Sequence, residues 1–185
     1  MDPDSGLIEL FKRICQRMNE AGMCYCVAGG FAVSLWGTPR GTEDIDLVVV
    51  MEENARPVFS DFLGRNFKLI QSHQDLMEFR HVCIWRHIVG LEGTENIFQL
   101  DVILINDPYL RKVIKRKINV EYQGLVVPVI SIEDLIILKL ISLRAIDKFD
   151  IENLLKSENP IDWNYLKKNA DLLHLDWVFI NILKL

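Results

Sequence analysis

Two glycines followed, after thirteen intervening residues, by two aspartates that flank an isoleucine constrain this chain more than any other feature. Ala28-Gly29-Gly30 closes one apolar run, and Asp44-Ile45-Asp46-Leu47-Val48-Val49-Val50 forms the next. Charge alternating with branched apolar residues is a strand pattern, and residues i and i+2 of a strand project to the same face. Asp44 and Asp46 therefore point together, while Ile45 and Leu47 enter a core. Carboxylates this close raise each other's pKa unless something positive lies between them. A hard divalent cation such as Mg²⁺ meets that need, because it takes oxygen ligands and keeps substrate phosphates in its shell. The glycines supply the complement. With no Cβ in the way, backbone N–H groups and the start of a following helix can approach a phosphate closely.

Apolar-Gly-Gly, a spacer of this length and Asp-apolar-Asp-apolar resemble the signature of the nucleotidyltransferase fold associated with DNA polymerase beta. Arg40-Gly41-Thr42-Glu43-Asp44-Ile45-Asp46-Leu47 is similar to the small bacterial and archaeal branch that contains the AbiEii-like abortive-infection toxins. The resemblance covers roughly residues 24–104. It implies a third carboxylate on a later strand, and Phe98-Gln99-Leu100-Asp101-Val102-Ile103-Leu104 offers Asp101. Many members carry Gly-Ser where this chain has Gly29-Gly30, so backbone N–H groups must do the work of the serine hydroxyl. On that footing Gly30→Ser is expected to be tolerated and Gly29→Val to block binding.

The resemblance implies a Mg-dependent enzyme that moves a nucleoside monophosphate from an NTP to a hydroxyl acceptor and releases pyrophosphate. Asp44, Asp46 and Asp101 would be the catalytic residues and the ligands of two Mg²⁺ ions, with Mn²⁺ the alternative metal. Gly29 and Gly30 would cradle the phosphates, and Arg40, Thr42 and Lys139 would complete the nucleotide contacts. The acceptor would be RNA, tRNA or a toxin–antitoxin target. Two alternatives stand beside this: an aminoglycoside- or lincosamide-type antibiotic nucleotidyltransferase, and a non-catalytic nucleotide-binding or antitoxin-like module. The apolar stretch Trp177-Val178-Phe179-Ile180-Asn181-Ile182-Leu183 would then dock a protein partner or a second copy.

Blander readings apply to each residue. An Asp-x-Asp pair often decorates a strand edge. Asp101 could simply pair with Arg80 or Arg86, and Arg40 could be a solvated loop arginine. Lys139, inside Leu138-Lys139-Leu140, either snorkels to the surface or faces a phosphate. The segment from Arg144 to Ile151 resembles a Lys-x-Asp helix junction of the abortive-infection branch, although structural salt bridges explain Lys148 and Asp150 nearly as well. Arg111-Lys112-Val113-Ile114-Lys115-Arg116-Lys117 holds five cations in seven residues, either a solvated helix face or a grip on a polyanionic acceptor such as RNA. His81 and His87 could act as a general base, but core or surface roles are the default.

Half of the 185 residues are hydrophobic and the net charge is -5, which excludes disorder and a broadly basic nucleic-acid-binding surface. The acidic start Met1-Asp2-Pro3-Asp4 is not a signal peptide, the longest apolar run is too short to span a bilayer, and a cytoplasmic location is expected. Cys15, Cys24, Cys26 and Cys83 lack zinc spacing and read as buried reduced thiols. Periodicity predicts helices over 7–20, 31–36, 54–63 and 109–116 and strands over 23–28, 44–50, 67–70, 79–88 and 97–105, followed by a hairpin over 120–127. Ser131 with Asp134 marks a helix start. Three shorter helices are expected near 150–156, 162–170 and 174–183. The fold class is α+β: a mixed-sheet nucleotidyltransferase core over 1–127 flanked by helices, with a C-terminal helical region over 128–185.

Overall fold

A computed structural model describes residues 3–37, 39–51, 53–79, 81–104 and 108–175. In chain order the elements are α1 (Pro3–Glu20), β1 (Tyr25–Val27), α2 (Gly29–Trp36), β2 (Asp44–Val49), α3 (Arg56–Asn66), β3 (Lys68–Ser72), β4 (Met77–Glu78), β5 (Cys83–Gly90), β6 (Ile97–Leu104), α4 (Pro108–Lys115), β7 (Ile118–Tyr122), β8 (Leu125–Val129), α5 (Ile132–Ser142), α6 (Ala145–Lys156) and α7 (Trp163–Leu172). The strands make one sheet in the order β3-β5-β6-β2-β1-β8-β7, with β4 paired to β5. It is mixed: β2 runs parallel to β6 and antiparallel to β1, and β1 runs parallel to β8.

The interior β2 and β6 follow from their composition. Ile45, Leu47, Leu100 and Val102 are fully buried, as branched side chains on the inward face of a central strand should be. On that face Phe59 of α3 packs against Trp85 and His87 with ring centroids 5.9 Å away in both cases. Helix α1 buries Leu10, Phe11, Ile14 and Met18, the stripe its periodicity marks out, and Phe11 stacks on Phe31 of α2 at 4.1 Å. Each such side chain contributes about 1.5–3 kcal/mol by leaving water, so this contact anchors α2 firmly beneath the glycine pair.

Several boundaries differ from the expected ones, for local reasons. The glycines are the first two residues of α2, not a turn ahead of it. Helix α6 begins at Ala145 because the Asp147 carboxylate accepts from the Arg144 backbone N–H at 2.9 Å, capping an earlier turn. The strand expected over 79–88 begins only at Cys83 and runs to Gly90 as β5, and Met77–Glu78 ahead of it pairs back on β5 as a short hairpin. Ser131 caps α5 as anticipated, accepting from the Asp134 N–H at 3.2 Å. Cys24 is exposed and Cys83 half-buried, so the expected burial holds only for Cys15 and Cys26. Residues 176–185, including the apolar stretch 177–183, lie outside the described residues, as does Arg80. Among the described residues no helix is long and apolar enough to cross a membrane.

Candidate active site

The parallel register of β2 and β6 builds the site. Asp46 lies opposite Asp101, and Asp44 opposite Gln99, so residues that the chain separates by more than fifty positions share one sheet face. One carboxylate oxygen from each of Asp44, Asp46 and Asp101 lies within 4.8 Å of the others; among the described residues this is the only His, Cys, Asp or Glu group of three or more so arranged. The next strand adds a cation to the row. Arg86 of β5 is opposite Asp101 and forks onto it, Nε donating to Oδ1 at 2.9 Å and Nη2 to Oδ2 at 2.8 Å, while Gln99 Nε2 donates to Oδ2 at 3.1 Å.

Asp44 and Asp46 are held differently. Thr42 Oγ1 donates to Asp44 Oδ1 at 2.9 Å, fixing its rotamer, and among the described residues no cation pairs with either carboxylate. Burial first, then the charges of Asp44 and Asp101, push Asp46 up to about 7, with Lys139 and Arg144 offsetting only part of this. The arrangement is short of positive charge. Three convergent oxygen donors of this kind fit a hard divalent ion.

The start of α2 abuts this cluster. Gly29 adopts φ +58, a left-handed conformation, and a Cβ there would collide with the Asp46 carboxylate. Glycine is required twice over, by conformation and by space. Among the described residues no side chain caps this helix start, so its first N–H groups remain available to an anion. Gly30 faces the other way: a Cβ would strike Arg40 and stand 2.6 Å from Thr42 Oγ1. A serine at position 30 would therefore have to displace Thr42, the residue that orients Asp44, which counts against the expected tolerance.

The carboxylates floor a cleft of about 340 Å³, lined also by Gly29, Arg86, Gln99, Lys139, Ser142, Arg144 and Asp147. Its outer wall is apolar, with Met77, Phe79, Val82 and Ile84 on one side and Leu138 and Ile141 of α5 on the other. Lys139 neither snorkels nor stands free: it is buried, with Nζ 2.6 Å from Asp150 and 3.5 Å from Asp147. Arg40 does not line this cleft but lies behind the glycines, its Nε 3.2 Å from Asp150 Oδ1. Arg144 binds Asp147 through Nε at 2.8 Å. Burial alone would raise the Asp147 pKa, but the hydrogen bonds from Arg144 and Ser142 and the charge of Lys139 outweigh it and lower it. Lys148 is exposed.

The basic run 111–117 is absent from the cleft lining, and part of it is spent on structure. Arg116 pairs with Glu133 at 2.8 Å and lies 3.6 Å over the Tyr165 ring, and Lys117 donates to the Tyr25 carbonyl at 3.2 Å. His87 points away from the carboxylates into the opposite face, where burial lowers it to about 4 and its Nδ1 meets Ser72 Oγ at 2.8 Å.

A family model described as "Nucleotidyltransferase of unknown function (DUF6036)" matches residues 5–177. The chain belongs to that nucleotidyltransferase family. Among solved structures, the enzyme is similar to an antigenic nucleotidyltransferase-like protein from Paracoccidioides brasiliensis, with 18% identity, a TM-score of 0.57, and 97% of this chain and 93% of that one covered. It is similar to the antibiotic-resistance factor ANT(2'')-Ia at 12% identity, TM-score 0.61, with 96% of each chain covered. Lincomycin-bound LnuA, a lincosamide antibiotic adenylyltransferase, matches at 20% identity and TM-score 0.52, covering 80% of this chain and 96% of that one. At these identities the likeness is one of fold. No curated protein matches the chain.

Two features of this nucleotidyltransferase's cleft were within reach of the sequence but not placed by it. Gln99 is two residues before Asp101 on the same strand and so shares its face. Arg144 and Asp147 are three apart on a helix start, the spacing of a capping pair.

Proposed function

We propose that the enzyme transfers a nucleoside monophosphate from an NTP to a hydroxyl on its acceptor and releases pyrophosphate. The observation that carries this reading is the convergence of Asp44, Asp46 and Asp101 beside the open start of α2. Two Mg²⁺ ions, held by Asp44, Asp46 and Asp101, would neutralise triphosphate charge and acidify the attacking hydroxyl. The helix-start N–H groups of Gly29 and Gly30 receive phosphate oxygens, since no side chain caps α2 and Gly29 abuts the Asp46 carboxylate. Arg144, largely exposed and tethered only to Asp147, offers a second contact to the leaving pyrophosphate. Asp101 stands nearest β5 and the apolar wall, so it accepts the acceptor's proton as the new P–O bond forms and the bond to pyrophosphate breaks. Thr42 keeps Asp44 in place, and Arg40 and Lys139 hold the loop and helices that frame the cleft rather than the nucleotide itself. Positioning and charge neutralisation supply most of the rate in chemistry of this type.

The apolar wall of Met77, Phe79, Val82 and Ile84 favours a small acceptor with an apolar face over an RNA backbone, because the basic run 111–117 that would hold a polyanion does not line the cleft. Incubation with each α-labelled NTP and Mg²⁺, in the presence of total RNA, lincomycin or an aminoglycoside, tests both points. Label on a small molecule supports the enzyme and the acceptor class; label on RNA supports the enzyme and rejects the acceptor class. Absence of any pyrophosphate release rejects the enzyme.

A further inference from the structure

Arg86 occupies the position in the charge row where a second cation would otherwise sit. Its fork takes one lone pair from each oxygen of Asp101, and Gln99 takes a third. A carboxylate has about four lone-pair sites, so little of Asp101 remains for a metal. Charge leads to the same place. Three carboxylates and one guanidinium leave two net negative charges, which a single divalent ion neutralises. A second ion becomes favourable only when Arg86 leaves. Arg86 has somewhere to go: its side chain is one-third exposed, it lines the cleft, and a guanidinium binds phosphate with the same fork it uses for carboxylate. Its departure without replacement would strand Asp101, only 4% exposed, as a buried uncompensated charge. Exchange must therefore be concerted with arrival of another cation.

We infer that Arg86 is a latch on Asp101: it restricts the nucleotide-free enzyme to one divalent ion at Asp44 and Asp46, and yields Asp101 to a second ion when a nucleotide phosphate takes up its guanidinium. This inference rests on the metal-dependent reading above. It makes Arg86 a positioning residue that couples nucleotide arrival to completion of the site.

Mn²⁺ is the probe, followed by calorimetry and by electron paramagnetic resonance at pH 8. The wild type is expected to bind about one ion without nucleotide, with the spectrum of an isolated ion. Addition of α,β-methylene ATP should produce the exchange-coupled spectrum of a close ion pair. Arg86→Gln should show that coupled spectrum with no nucleotide, with the second ion bound at least tenfold more tightly than by the wild type, and the added site should vanish in the double variant R86Q/D101N. Arg86→Lys keeps the charge but loses the fork, and should fall between the two; it serves if R86Q does not fold. A coupled pair in the nucleotide-free wild type, or a single ion in R86Q, overturns the latch while leaving the metal-dependent reading intact. Failure of every form to bind Mn²⁺, with or without nucleotide, overturns both.

Discussion

Two polar clusters adjoin one cleft, and they treat charge in opposite ways. Behind the helical wall, Lys139, Asp147, Asp150, Arg40 and Arg144 pair among themselves, and Asp150 is completely buried yet meets both Lys139 and Arg40. On the sheet, Asp44 and Asp46 stand side by side beneath the start of α2 with no cation paired to either among the described residues, and the strain appears as an Asp46 carboxyl pushed up to about 7. The first cluster is finished: every charge has a partner, and its work is to tie α5 and α6 to the loop behind the glycines. The second is deliberately unfinished. The unfinished cluster holds most of the binding energy left over for a ligand; in the finished one only the exposed Arg144 has donors to spare.

The sharpest way to break this contrast is to remove one carboxylate from each cluster. Asp44→Asn or Asp46→Asn should lower turnover by about 10³-fold or more, while the metal-free protein keeps or gains stability because a repulsion is relieved. Above pH 7 the gain for Asp46→Asn should be roughly 1–3 kcal/mol in chemical denaturation. Unchanged turnover by either variant removes the metal-dependent mechanism.

The opposite pattern is expected from the finished cluster. Lys139→Met or Asp150→Asn should cost roughly 3–5 kcal/mol of stability, because each leaves a buried charge or polar group without its partner. Nucleotide affinity of the folded fraction should change much less. A Lys139→Met protein of normal stability that no longer binds α,β-methylene ATP would move Lys139 into the nucleotide site and erase the distinction.

Acidity separates the clusters again. An ion at Asp44 and Asp46 must displace the proton that Asp46 carries below pH 7, so Mn²⁺ affinity should rise by about tenfold per unit up to that pH and flatten above it. The stability of the metal-free protein runs the other way. Folding favours the protonated carboxyl, so Asp46 contributes stability at low pH that is lost as pH rises from the ordinary carboxylate range to about 7. Calorimetric titrations at pH 6, 7 and 8 measure the first effect, and denaturant midpoints with EDTA measure the second. A flat Mn²⁺ profile would show that Asp46 is ionised throughout.

The glycines that join the two clusters separate a small effect on packing from a direct one on binding. Gly30→Ser should destabilise by about 1–3 kcal/mol through overpacking against Thr42 and Arg40, with nucleotide affinity falling only as far as Asp44 is displaced. Gly29→Val, whose side chain would enter the Asp46 carboxylate from a left-handed backbone position, should lose binding altogether in calorimetry with α,β-methylene ATP. Normal binding by Gly29→Val would leave the glycine a packing residue.

Much of the site was legible before any coordinates, because it rests on short-range rules. Period two in β2 dictates that Asp44 and Asp46 share a face, a capping serine dictates where α5 starts, and an apolar strand around Asp101 dictates that its charge must be compensated. The mixed sheet with helices at its flanks, which the family resemblance implied, is observed. What compensates Asp101 was another matter. Arg80 and Arg86 were equal candidates by composition, and it takes the antiparallel register of β5 against β6 to set Arg86 opposite Asp101. Likewise, nothing local distinguishes a lysine that awaits a phosphate from one held by Asp150, eleven residues away across a helix junction. Alternation and capping are decided by neighbours within a few residues, so sequence alone settles them. Register and ion pairing depend on which distant segments meet, and the summed burial of the whole core decides that only when the chain closes.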